Sequence, residues 1–221
     1  MFIGHFGVAL AAKKAVPNAR LGTLLLAAQF LDLLWPILLL LGLEKVEIAP
    51  GITVVTPLDF TRYPISHSLL TVAGWSILFG LLYYMWHRTR KGSVMMGVLV
   101  LSHWALDAIV HRPDLPLMPG GPTYVGLGLW NSLAGTVAVE GSIFLIGIAL
   151  YLNATRTRDR VGSWALWAFI ILLGITYAAN LIGPPPPDTR MIGWAALAMW
   201  LFIPWAYWID RHRRALGESS R

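Results

Sequence analysis

The sequence predicts an all-α fold: a polytopic membrane helix bundle with six transmembrane helices and a short N-terminal helix that is re-entrant or interfacial. Of the 221 residues, 57% are hydrophobic and 13% are charged, against about 25% charged in soluble domains. The apolar residues fall into long blocks, each close to the roughly 20 residues that cross a bilayer core. The six blocks are Leu21–Leu43, Ile65–Trp86, Ser93–His111, Leu129–Leu152, Trp164–Ile182 and Met191–Ile209.

The N-terminal segment Phe2–Val16 is too short to cross a membrane. Lys13 and Lys14 follow its apolar part, whereas a signal peptide carries its positive charges first. We therefore expect a helix that lies in the interface or dips into the bilayer. If it dips, His5 reaches roughly 12 Å inward at the rise of an α-helix.

Basic residues mark alternate sides of the predicted spans. Clusters precede the first span and follow the second, fourth and sixth: Lys13, Lys14 and Arg20; Arg88, Arg90 and Lys91; Arg156, Arg158 and Arg160; Arg211, Arg213 and Arg214. The opposite side carries Lys45, Arg62, Arg112 and Arg190. The positive-inside rule then places both termini in the cytoplasm and the protein in the cytoplasmic membrane. The net charge of +6 thus reports orientation, so membrane lipids and not nucleic acid are the expected partners.

The chain 1–221 is predicted to be a single membrane domain. No soluble segment is attached, and no internal repeat of the kind found in transporters is visible. The sequence has no cysteine, which excludes disulfides and thiolate metal sites. It indicates no oligomeric state.

The third span carries ionisable residues on one helical face. His103, Asp107 and His111 are spaced four apart, which places them in one stripe of a helix. Such residues are costly within a bilayer, and imidazole and carboxylate groups on one face resemble a zinc site. The alternative is that His103 and Asp107 hydrogen-bond to each other or to neighbouring helices.

The first span carries Gln29 and Asp32, three apart and on one face. By helical rise, Asp32 lies roughly 18 Å and His103 roughly 16 Å from the basic side, so they share one level of the bundle. His5 joins them if the N-terminal helix dips. Pro36 removes a helical hydrogen bond and is expected to kink this span.

Three further positions are candidates. Ser66 is expected near the N-cap of the second span, and His67 then lies at its outer end, near the level of His111. Glu140, in the middle of the fourth span, is a candidate fourth ligand, a general base or a partner for a neighbouring helix. Arg112 begins a proline-rich loop, where it either clamps an anionic substrate group or anchors to lipid phosphates.

Some of these residues resemble a known family, the bacterial inner-membrane proteins described as predicted membrane-bound metal-dependent hydrolases. The matching positions, in the first half of the chain, are His5, Asp32, Ser66-His67-Ser68, His103 and Asp107. Two places depart from the family pattern. Phe30-Leu31-Asp32-Leu33-Leu34 stands where the family often has Pro-Asp-x-Asp, and Arg62-Tyr63-Pro64 stands where it often has His-Arg-Gly.

The leading hypothesis is therefore a membrane-embedded metal-dependent hydrolase acting on a lipid or phosphoester in the outer half of the membrane. Its divalent ion would be zinc, with manganese or iron as alternatives. The predicted ligands are His5, Asp32, His67, His103 and Asp107, the predicted bases are Glu140 or Asp32, and the predicted substrate-binding residues are Arg112 and His111. A transporter or channel for an ion or solute and a non-enzymatic scaffold are the competing hypotheses.

Overall fold

Helices make up most of the computed structural model, which describes residues 1–216. The α-helices are α1 (Ile3–Ala15), α2 (Leu21–Ala28), α3 (Phe30–Leu40), α4 (Leu69–His87), α5 (Arg90–Val110), α6 (Leu133–Ala154), α7 (Arg160–Ile182), α8 (Thr189–Leu197) and α9 (Phe202–Arg211). The strands are β1 (Lys45–Ile48), β2 (Leu58–Arg62), β3 (Leu115–Pro116), β4 (Tyr124–Val125), β5 (Thr155–Thr157) and β6 (Arg213–Ala215). Residues 217–221, the end of the predicted domain and its C-terminus, lie outside the described residues.

Five helical segments among the described residues are long and apolar enough to cross a membrane, or six if α2 and α3 count as one bent span. Four of them are α4, α5, α6 and α7. The fifth, Thr189–Arg211, joins α8 and α9 through the 3-10 turn Ala198–Leu201. Large apolar side chains such as Ile77 and Leu145 face outward, as expected for a surface that lipid covers. The prediction of a mostly helical protein with five or six helices long and apolar enough to span a membrane is confirmed.

The predicted first span is bent at Gln29, where α2 and α3 meet at 56°. Gln29 leaves the helical conformation, with φ −101° and ψ 4°. Pro36 lies within α3, which continues through it, and a kink there stays a prediction. Proline is tolerated within membrane helices where neighbouring groups satisfy the freed carbonyl.

Helix α1 lies inside the bundle. Nine of its 13 residues are buried, and it packs along α6 and against α2 and α5. Gly7 and Gly147 face each other across α1 and α6, and a Cβ atom on either glycine would collide with the partner backbone. Of the two predicted positions for this segment, the structure favours the one that enters the bundle.

Three antiparallel ribbons close the ends of the bundle: β1 with β2, β3 with β4, and β5 with β6. The all-α prediction missed all three ribbons. The β1–β2 ribbon covers a small apolar cluster that includes Trp35, Tyr63 and Leu115.

Candidate metal centre and its cavity

Two histidines and two aspartates from three segments converge at the bend between α2 and α3. His67 Nε2 lies 3.7 Å from Asp32 Oδ1 and 3.7 Å from Asp107 Oδ2. His103 Nε2 lies 3.6 Å from Asp32 Oδ1 and 3.3 Å from Asp107 Oδ2. The structure thus brings all five predicted ligands into two overlapping groups with metal-ligand spacing: Asp32, His67 and His103, and His5, His103 and Asp107.

These separations fit the ligand shell of a small cation. A tetrahedral zinc site with bonds of about 2.0–2.2 Å has neighbouring ligand atoms about 3.3–3.6 Å apart. The four nitrogen–oxygen distances, 3.3 to 3.7 Å, are close to that range. They are too long for strong hydrogen bonds, which for N–H···O lie near 2.9 Å.

His103 presents its Nε2 atom to the centre of this cluster. Its Nδ1 atom lies 2.7 Å from the carbonyl oxygen of Ala28, the last residue of α2. A carbonyl only accepts hydrogen bonds, so Nδ1 carries the hydrogen. His103 Nε2 is fully buried and makes no hydrogen bond among the described residues.

His67 is oriented by a chain of hydrogen bonds that ends at Glu44. Its Nδ1 atom lies 2.7 Å from Ser66 Oγ, and the Ser66 hydroxyl donates to Glu44 Oε2 at 2.6 Å. Glu44 Oε1 also accepts from the backbone N–H groups of Ile65 and Ser66, each at 2.8 Å. Because the serine hydrogen goes to the carboxylate, His67 Nδ1 donates to Ser66, and Nε2 faces the aspartates.

The sequence analysis missed Glu44, since an acidic residue that ends an apolar block usually lies in the interface. Glu44 is 1% exposed. The expectation that Ser66 caps the second span was also wrong. Ser68 caps α4 by accepting from Thr71 N–H, and Ser66 positions His67 instead.

His5 lies on the far side of Asp107. Its Nε2 atom is 3.1 Å from Asp107 Oδ1, which the Met1 nitrogen also contacts at 2.5 Å. The His5 ring stacks on His103, with centroids 3.6 Å apart and planes at 6°. His5, His103 and Asp107 also form a group with metal-ligand spacing, so the assignment of His5 as a ligand stays a prediction.

Glu140 is buried, lines the same cavity as Asp107, and accepts a hydrogen bond from Phe2 N–H at 2.8 Å. Thr136, one turn earlier, donates to the Leu129 carbonyl. The second Glu140 oxygen makes no contact with another charged side chain within the described residues.

The predicted substrate residues belong to a second network. His111 Nδ1 lies 2.9 Å from Asp114 Oδ1, which also accepts from the Tyr63 hydroxyl at 3.1 Å. Burial raises the pKa of Tyr63 well above its usual value, and the Asp114 charge raises it further, so the hydroxyl stays protonated and donates. Arg112 pairs with Asp114 and with Asp59.

Only one of the two predicted substrate residues lines the cavity. His111 lines the cavity, whereas Arg112 is absent from its wall and its charge is matched by two carboxylates. The predicted stripe of the third span is therefore divided, with His103 and Asp107 in the cluster and His111 one turn beyond it.

A cavity of about 980 Å³ opens onto the cluster. Its wall contains Asp32, His67, Asp107 and Glu140, and most of the remainder comes from α7, α8, the 50–58 loop, the 183–187 segment and the 198–205 segment. α7 packs on α9 and α1, whereas α8 packs on α3. Both α7 and α8 contribute residues to the wall of the cavity.

No family model, curated protein or solved structure matches this chain. The resemblance to the predicted membrane-bound hydrolases accordingly has no support beyond its motif residues. Of those, His5, Asp32, His67, His103 and Asp107 each lie within 3.7 Å of at least one other member.

Proposed function

We propose that this protein is a membrane-embedded metal-dependent hydrolase that acts on a lipid or phosphoester. The observation that carries the proposal is the convergence of His67 Nε2, His103 Nε2 and two aspartate oxygens at 3.3 to 3.7 Å on the wall of a large, mostly apolar cavity. The hydrolase class also draws on the motif resemblance.

A cation accounts for the polarity of the cluster. The hydrogen bonds to Ala28 and Ser66 place hydrogens on the outer nitrogens of His103 and His67. In their neutral forms, both rings then direct a lone pair toward carboxylate oxygens, which also only accept. Facing acceptors repel each other in a low-dielectric interior, and a divalent ion between them converts that repulsion into four bonds.

Two imidazole nitrogens and two carboxylate oxygens suit zinc, and manganese or iron are the alternatives. The partners of His67 and His103 are of the kind that orient metal-bound histidines, a carbonyl for one and a hydroxyl–carboxylate pair for the other.

A bound divalent ion would lower the pKa of a water molecule and polarise the ester to be cleaved. Glu140, on the wall of the same cavity, is the base proposed to take the proton from that water, and Asp32 is the alternative. The water oxygen bonds to phosphorus or to the acyl carbon. The ester C–O or P–O bond breaks, and the departing oxygen takes up a proton.

The cavity supports a substrate that resides in the membrane. At about 980 Å³, it is at the upper end of the roughly 300–1,000 Å³ typical of ligand pockets. Its apolar wall suits hydrocarbon, and its acidic and imidazole groups suit a polar headgroup. We place the protein in the cytoplasmic membrane, with both termini in the cytoplasm and the site in the outer half.

Elemental analysis tests the metal directly. The detergent-purified protein, kept away from metal-affinity columns, should hold about one ion per chain, and His103→Ala/Asp107→Ala should hold none. His212→Ala/Asp159→Asn is the matched control, because it removes a distant exposed His–Asp pair (2.7 Å) while asparagine keeps the helix cap. If the double variant does not fold, Asp32→Asn replaces it, since that side chain is 26% exposed.

Loss of metal and hydrolysis in the cluster variant alone supports the proposal. Equal metal in all three proteins contradicts the ligand assignment. The absence of metal after addition of zinc, manganese or iron eliminates the metal-dependent hydrolase and leaves transport or scaffolding.

Filling the cavity tests the substrate separately from the metal. Ala179 lines the cavity, whereas its exposed neighbour Ala178 does not. Ala179→Trp should reduce phospholipid hydrolysis by about 100-fold, as displacement of a substrate by about 1 Å can do, and should leave the metal content unchanged. Ala178→Trp should leave both unchanged. Equal hydrolysis by the two variants would show that the substrate does not occupy this cavity.

The bend at Gln29 also favours a second candidate function, transport. Interrupted membrane helices form ion and substrate sites in many transporters, and both amide atoms of Gln29 are buried without a partner in the described chain. Uptake of zinc or protons into sealed proteoliposomes, lost in Asp32→Asn, would support this function. Proteoliposomes that show metal-dependent hydrolysis and no uptake would support the hydrolase.

A further inference from the structure

A second cavity, of about 400 Å³, lies where α1 ends and α2 begins. Five cationic side chains and one carboxylate contribute to its wall: Lys13, Arg20, Arg158, Arg211, Arg213 and Asp210. We call it the basic pocket. It shares no lining residue with the cavity at the metal centre.

Two of the five cations have protein partners. Lys13 Nζ lies 2.9 Å from Asp210 Oδ1 and donates to the Ala19 carbonyl at 2.8 Å. Arg213 donates to Thr155 Oγ1 from two nitrogens and to the Gly162 carbonyl at 3.0 Å. These contacts neutralise Asp210 and fix Arg213 in place.

The other three cations are exposed. Within residues 1–216, the side chains of Arg20, Arg158 and Arg211 make no hydrogen bond or salt bridge. They come from three separate parts of the chain: the start of α2, the turn after β5, and the end of α9. Like charges gathered around one concavity repel, so their arrangement favours an anion between them.

The wall of the basic pocket is held by the fold. Asp210 Oδ2 accepts from Leu21 N–H at 3.2 Å, which joins α9 to the start of α2. Strand β6 pairs with β5 and positions Arg213 beside the turn that carries Arg158. The backbone that carries Arg20, Arg158 and Arg211 is thus held in place by these contacts. Binding of a ligand would not require this backbone to become ordered.

We propose that the basic pocket binds a phosphate group, carried either by an anionic lipid headgroup or by a free phosphate. Guanidinium groups match phosphate oxygens in charge and in hydrogen-bond geometry. Basic pockets between membrane helices are known sites for anionic headgroups. The volume, about 400 Å³, accommodates a headgroup.

Binding of soluble probes to the detergent-purified protein tests this proposal. The probes are dioctanoyl-phosphatidylglycerol, dioctanoyl-phosphatidylcholine and inorganic phosphate. The test variant is Arg20→Gln/Arg158→Gln. The matched control is Arg90→Gln/Lys91→Gln, which removes the same charge from exposed residues outside both cavities. Arg158→Gln alone serves if the double variant is unstable.

The wild type and control should prefer phosphatidylglycerol to phosphatidylcholine, and the test variant should bind it roughly 30-fold more weakly, at about a fivefold loss for each arginine. If the protein binds phosphatidylglycerol and does not bind inorganic phosphate, the ligand is a lipid headgroup. If inorganic phosphate competes with phosphatidylglycerol, the pocket recognises the phosphate group alone. Equal loss in both double variants means a general charge effect and overturns the proposal, as does a wild type without preference among the three probes. The cavity at the metal centre is unaltered in the test variant, so any lost binding belongs to the basic pocket.

Discussion

Two clusters of charged side chains are buried in this helix bundle, and they differ in how their polar atoms are satisfied. At the basic end, Lys13 and Asp210 lie 2.9 Å apart, and each makes a further hydrogen bond to backbone. At the candidate metal centre, the closest approach between an Asp32 oxygen and a histidine nitrogen is 3.6 Å, and His103 Nε2 has no hydrogen-bond partner among the described residues.

The difference separates a structural cluster from one arranged for a ligand. A buried ion pair neutralises its own charges and requires no further ligand. Removal of one member leaves the other as an unpaired buried charge, which is strongly destabilising. At the candidate metal centre, Asp107 also contacts Met1 and His5. His67 and His103, however, face Asp32 without hydrogen bonds, and this part of the cluster gains stability when another group enters it. The two clusters should therefore respond in opposite ways to substitution and to added metal.

The largest predicted effect is on stability. Lys13→Met keeps the side-chain stem but strands Asp210, and should destabilise the protein by about 3 kcal/mol, with or without metal. Asp32→Asn should change the stability of the metal-free protein by less than about 1 kcal/mol, because its contacts at 3.6 and 3.7 Å are not hydrogen bonds. Thermal unfolding in detergent measures both.

Added zinc sharpens the same comparison. At 100 times its dissociation constant it should stabilise wild type and Lys13→Met by about 2.7 kcal/mol, and should not stabilise Asp32→Asn. If Asp32→Asn is as damaging as Lys13→Met in the absence of metal, the metal centre is a structural network and the distinction between the clusters fails.

A smaller effect is predicted for the residues behind His67. Glu44→Gln and Ser66→Ala break the chain that sets which His67 nitrogen faces the centre, and each should weaken metal binding by about 10- to 100-fold. Glu47→Gln is the control, since Glu47 is exposed in β1 of the same ribbon. Competition with a chelator of known affinity gives the measurement, and unchanged affinity in both variants would remove the orienting role.

The smallest predicted effect concerns pH. Burial lowers the pKa of His111, although Asp114 opposes the shift. The unfolded chain then binds the proton more tightly than the folded protein, so this residue lowers stability as pH falls below about 6.5. The stability cost of His111→Gln should therefore shrink between about pH 7.5 and 5. If the stability cost of His111→Gln increases toward low pH, His111 is charged in the folded protein and the prediction is wrong.

The sequence predicted the helical bundle because long runs of apolar residues are visible directly in the order of the residues. It also singled out His103, Asp107 and Asp32, since each is an ionisable residue within such a block, and the structure places the three side chains next to one another. It could not predict Glu44 or the role of Ser66, because a hydrogen bond across 22 positions depends on how the β1–β2 ribbon returns to α4. The bend at Gln29 was not predicted either. Pro36 is the residue in this span that favours a break by its own chemistry, whereas glutamine has no such local preference.

The close contact between α1 and α6 has a consequence for biogenesis. Phe2 and Glu140 are joined by a hydrogen bond across 138 positions, and the paired glycines allow the two helices to touch. At about 5–20 residues per second, the ribosome needs roughly 7–28 seconds to reach Glu140 after it has made the first residues. His5 is thus translated first among the cluster residues, but its helix reaches its final position only after α6 has entered the membrane.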